Sequence, residues 1–90
     1  MLVRGRAGVP ANATAAALNV IATQTTGPGY VAVFPCGTDV PTASSVNYAS
    51  AGATASNAVV SQIGNDGTVC LFTHAGAHLV VDITGYFVPD

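Results

Sequence analysis

The sequence predicts an all-β fold, an antiparallel β-sandwich of jelly-roll or Ig-like kind with six or seven short strands, and three observations carry that prediction. Segments rich in Val, Ile, Thr, Tyr and Phe recur along the 90 residues, and such side chains favour a pleated, half-buried surface. Turn signals containing Gly, Pro, Asn or Asp separate these segments at intervals of roughly 8 to 15 residues, as in sandwiches and small barrels. No stretch sustains the 3.6-residue apolar period of a helix. Ninety residues support one modest core, so residues 1–90 read as a single module.

Taken in order, Met1 to Thr14 carries Gly5, Gly8 and Pro10 and reads as a leading segment with a short edge strand at Leu2-Val3. Met1-Leu2-Val3-Arg4 lacks the apolar centre and cleavage site of a signal peptide. Asn12-Ala13-Thr14 matches an N-glycosylation acceptor, a triplet common by chance. The alanines of Ala15 to Thr23 would suit a helix. However, Leu18, Val20 and Ala22 alternate with Ala17, Asn19 and Ile21, and the turn Thr25-Thr26-Gly27-Pro28-Gly29 closes the run, so it is assigned as a strand. Tyr30 to Cys36 is the next strand; Pro35 has no N–H to give a ladder, which places that end at an edge or bulge. Ala43 to Tyr48 is a weaker strand, and Ala49 to Ser56 is a small-residue tract that suits a loop tip or a close-packed crossing equally.

Asn57 to Ile63 and Thr68 to Thr73 flank Gly64-Asn65-Asp66-Gly67. These turn residues tolerate the positive φ of a tight hairpin, and a hairpin is the expectation. His74 to His78 turns the chain into its last and longest apolar run, Ala77 to Val88, around which the other strands are expected to pack. Strict alternation puts Leu79, Val81, Ile83, Gly85 and Phe87 on one face and Val80, Asp82, Thr84, Tyr86 and Val88 on the other. Both faces are mostly apolar, so the strand lies within a sheet stack or meets a second chain on its outer side.

The chain has no Lys and no Glu; its fixed charges are Arg4, Arg6, Asp39, Asp66, Asp82 and Asp90. Half of the residues are hydrophobic and only 7% are charged, which points to burial against neighbours and hence to a homo-oligomer or tandem copies. A net charge of −2 argues against nucleic acid or an anionic membrane as partner. No apolar run is long enough for membrane insertion as a helix.

Few residues suggest chemistry. A mid-strand carboxylate must be paired, hydrogen-bonded or wet, so Asp82 is expected to accept from Asn19, Asn47 and Asn57 in a buried polar network. A calcium or sugar site is the alternative, since both use carboxylate and amide oxygens; four scattered Asp residues are a poor supply for calcium, and no metal is assigned. His74 and His78 flank a short turn and read as exposed loop residues, since two imidazoles alone make a poor zinc site. No Gly-x-Ser-x-Gly elbow and no acid pair for glycoside hydrolysis is present, and Gly27-Pro28-Gly29 precedes no helix, so neither an enzyme nor a cofactor is expected. Tyr30, Tyr48 and Tyr86 lie inside expected strands and are the candidate ligand or interface aromatics. Cys36 and Cys70 fit neither a zinc pattern nor Cys-x-x-Cys. They read as one disulfide in an oxidising, extracellular setting, with two buried thiols as the alternative.

The blocks GVPANATAAALNV (Gly8 to Val20), GPGYVAVFPCG (Gly27 to Gly37), PTASSVNY (Pro41 to Tyr48), NAVVSQIGNDGTVCLF (Asn57 to Phe72) and HLVVDITGYF (His78 to Phe87) together resemble a repeat module of actinobacterial secreted and cell-surface proteins. The resemblance implies secretion, a Cys36–Cys70 disulfide and a non-catalytic accessory role, in tandem or beside extracellular hydrolases. It also implies an upstream strand segment in a full repeat, whose lack would leave an open sheet edge. The resulting expectation is a non-catalytic extracellular module for adhesion or cell-surface attachment through protein–protein or wall-polymer contacts. A self-assembling filament or shell subunit and a carbohydrate-binding module, the latter with a cell-wall glycan as partner, are the competing expectations.

Overall fold

A computed structural model describes residues 1–89 and places six strands in two sheets. The strands are β1 (Ala15–Thr23), β2 (Gly29–Pro35), β3 (Val46–Tyr48), β4 (Ala55–Gln62), β5 (Val69–Thr73) and β6 (His78–Phe87). Their order is β4-β1-β6 in one sheet and β3-β2-β5 in the other, with every pairing antiparallel. This is a small β-sandwich. The expected edge strand at Leu2-Val3 reduces to a single Leu2–Thr68 bridge, beside which Met1 and Val69 exchange backbone hydrogen bonds of 2.7 and 2.9 Å.

Period-two alternation builds the core. On β1 the burial alternates without a break, and Ala16, Leu18, Val20 and Ala22 face inward. They meet Val31 and Val33 of β2, Val46 and Tyr48 of β3 and Val69 of β5. Each fully buried Val or Leu contributes roughly 1.5–3 kcal/mol, so a core of small side chains depends on many modest contributions. The leading segment closes one end of it: Val3 and Val9 are buried, and backbone bonds from Gly5 to Val9 and from Arg6 to Val3 fold the residues between them into a compact turn.

The expected hairpin at Gly64–Gly67 is not formed. β4 pairs with β1 while β5 pairs with β2, so the turn carries the chain from one sheet to the other. Asn65–Gly67 form a short 3-10 turn in which Asp66 and Gly67 take positive φ values of 61° and 72°. Turn chemistry specified the reversal, but the strand partner was decided elsewhere. Gly64 has its own reason: a Cβ there would collide with the backbone of Cys36. The small tract 49–56 crosses between sheets, held by buried Thr25, whose hydroxyl lies 2.9 Å from Ser50 O and 3.0 Å from Ala53 O.

Alternation along β6 is also broken. Its register against β1 shifts between Ala17 and Leu18, pairing Leu18 with Ile83 but Ala17 with Gly85. Thr84 is the extra residue of this bulge, and its hydroxyl donates to Ala17 O at 3.2 Å. Phe87 consequently stands opposite Ala15, on the outer face with Val80 and Asp82, and Tyr86 stands opposite inward-facing Ala16.

Candidate functional site

The least finished part of the molecule is β6. It is ten residues long and forms an edge of its sheet, paired with β1 alone. The second sheet leaves its inward residues Leu79, Val81 and Ile83 only half buried. Outward, Val80 and Phe87 are 48% and 53% exposed, and on the opposite edge strand β4 Val60 is 63% exposed. Beside the free edge runs a groove of about 330 Å³, with Val81, Asp82 and Ile83 on one bank and Met1, Leu2, Arg6 and Ala7 on the other. Natural proteins usually cover, shorten or charge such an edge. Here Asp82 is the only carboxylate on β6, and His78 its only other titratable group apart from Tyr86.

The expected buried network around Asp82 does not form. Asp82, Asn47 and Asn57 are exposed and Asn19 is half buried. Asn19 and Asp82 are register partners on the outer face of the first sheet, where solvent solvates the carboxylate. Asn57 donates instead to Ser45 O at 2.9 Å, tying β4 to the segment before β3, and Asn47 accepts from Ser44 Oγ at 3.0 Å. Similar positions in separate strands did not mean a shared place in the fold. Ser45, which the sequence does not mark, fastens the segment before β3 to β2 twice: its N–H donates to Val31 O at 2.7 Å and its hydroxyl accepts from Val33 N at 3.1 Å.

The three tyrosines have three environments. Tyr48 is 4% exposed, its hydroxyl donates to Ala75 O at 2.5 Å, and its ring lies where a Cβ on Gly29 would come within 2.9 Å of it. It belongs to the core and is removed from the ligand candidates. Tyr86 is 47% exposed beyond the bulge. Tyr30 lies on the outer face of the second sheet, stacked on His74 with ring centroids 5.2 Å apart and planes 6° apart, and tilted against Phe72 at 6.2 Å. Asn47 is its register partner on β3. Both histidines are exposed, but they lie in different sheets and only His74 is outside a strand: it belongs to this aromatic row, whereas His78 opens β6 opposite Thr23.

Cys36 and Cys70 form a disulfide with Cα atoms 5.0 Å apart, next to the Phe34–Cys70 register pair of β2 and β5. Among the described residues, no three His, Cys, Asp or Glu side chains gather into a metal-binding group, and no helix is long and apolar enough to cross a membrane. Comparison of the chain with protein-family models, with curated proteins and with solved structures finds no match in any of the three.

Proposed function

We propose that this domain is a non-catalytic extracellular attachment module, which works by laying sheet edges and apolar outer faces against like domains or a wall polymer. The observation that carries the reading is β6: an unpaired ten-residue edge with a half-buried apolar inner face and exposed valine and phenylalanine outside. Exposed edges of this kind template pairing with another chain. The disulfide supports an extracellular setting, since such bonds persist in oxidising compartments. Light scattering after size exclusion at rising concentration, together with a pull-down on insoluble peptidoglycan, tests the proposal. Association or retention is expected; a monomer at all concentrations that also passes the wall polymer would overturn it.

A carbohydrate-binding reading draws on a separate observation, the row Tyr30, Phe72 and His74 with Asn47 alongside. Aromatic faces stack on sugar rings and an amide can both donate to and accept from hydroxyls. Under that reading Tyr30→Ala abolishes retention on glycan while leaving self-association unchanged.

A further inference from the structure

The attachment proposal leaves open how the edge of β6 is covered, and the charges along it narrow the answer. We propose that β6 pairs with β6 of a second copy, antiparallel about a two-fold axis at Val80, so that His78 of each copy faces Asp82 of the other. This deepens the attachment reading and rests on it.

The register follows from the strand itself. In an isologous antiparallel pair a residue a given number of places before the axis meets the residue the same number after it. His78, Val80 and Asp82 share the exposed outer face of β6, opposite Thr23, Ile21 and Asn19 of β1. An axis at Asp82 would bring two carboxylates together, and axes at Leu79 or Val81 would set Gly76 or Val80 of the other copy, neither with a donor side chain, against Asp82. The axis at Val80 gives each Asp82 an imidazole of the facing strand, forming two His–Asp pairs around a central Val–Val pair. On the inner face the same register sets Leu79 against Val81 twice, covering side chains that the second sheet leaves half buried. The pairing runs from Ala77 to Ile83 and stops at the Thr84 bulge, where the shifted backbone ends a regular ladder. Ala77 and Leu79 of the other copy then occupy the groove beside Val81 and Ile83.

The groups facing them on β1 are uncharged, Thr23 beside His78 and Asn19 beside Asp82. Across the groove lie Arg6 and the Met1 ammonium; the ammonium donates to Val69 O at 2.7 Å. Two exposed His–Asp contacts at ordinary strength correspond to a dissociation constant about two- to thirtyfold lower than without them.

The test combines a cross-link with a measured affinity. Val80→Cys, with the native cysteines tied up in their disulfide, is expected to give a covalent dimer on mild oxidation, whereas Val60→Cys, still more exposed on β4, is not. Analytical ultracentrifugation of the unaltered protein should show a dimer; Asp82→Ala should raise its dissociation constant about two- to thirtyfold, and the exchange His78→Asp/Asp82→His, which keeps both pairs, should restore it. Cross-linking at position 60 in preference to 80, or an affinity that Asp82→Ala leaves unchanged, overturns this register while leaving attachment standing. A monomer at every concentration overturns the register; if it also fails to bind wall polymer, the attachment reading falls with it.

Discussion

Removing the Cys36–Cys70 bond offers the most direct measure of how this domain is held together. The bond spans 34 residues, and that segment contains β3, β4 and the crossing to β5. Closing a loop of this length lowers the entropy of the unfolded chain by an amount equivalent to about 4 kcal/mol. A domain of this size has roughly 5–13 kcal/mol in total, so the bond represents a third or more of it. The perturbation is the double substitution Cys36→Ala/Cys70→Ala, which avoids introducing a buried hydroxyl. With a urea slope near 1 kcal/mol per molar, the low end for small domains, the unfolding midpoint should fall by roughly 3–4 M. The slope itself should rise, because the unlinked unfolded chain exposes more surface. A midpoint shift below about 1 M with an unchanged slope would refute the argument that the bond supplies a large share of the stability.

Two further predictions concern the interior. Tyr48→Phe keeps the ring over Gly29 but removes the hydroxyl that serves Ala75 O; a loss of about 1–2 kcal/mol is expected, read as a fall of several degrees in the thermal midpoint. Gly64→Ala forces a methyl group onto the Cys36 backbone. It should cost about 1–3 kcal/mol by overpacking, and chemical denaturation that finds it neutral would show that the crossing turn shifts to make room.

Local pattern determined the strands and missed most of their partnerships. All six runs of β-branched and alternating residues became strands because period-two burial is set residue by residue, as Ala16, Leu18, Val20 and Ala22 illustrate. The Gly64–Gly67 turn misled because glycine and aspartate encode backbone angles, and the same angles serve a hairpin or a crossing between sheets. The bulge at Thr84 was invisible for a related reason: it is defined against β1, through the Thr84 hydroxyl and the Ala17 carbonyl, and nothing within TGYF alone demands it. Asn19, Asn47, Asn57 and Asp82 looked equivalent because each interrupts an apolar run, yet which face a polar residue occupies depends on sheet neighbours that a single strand does not name. Thr25, which fastens the crossing at 49–56, and Ser45, which fastens the approach to β3 onto β2, carry no signal beyond being small hydroxyl residues near turns.

The order of the strands also bears on how the molecule comes into being. Of the four strand pairings, only β2 with β3 joins neighbours along the chain. β1 emerges first from the ribosome, yet its two flanking strands are the fourth and the last. Such distant partners make for slow folding, on the millisecond-to-second scale, and the first sheet stays incomplete until synthesis has passed Phe87.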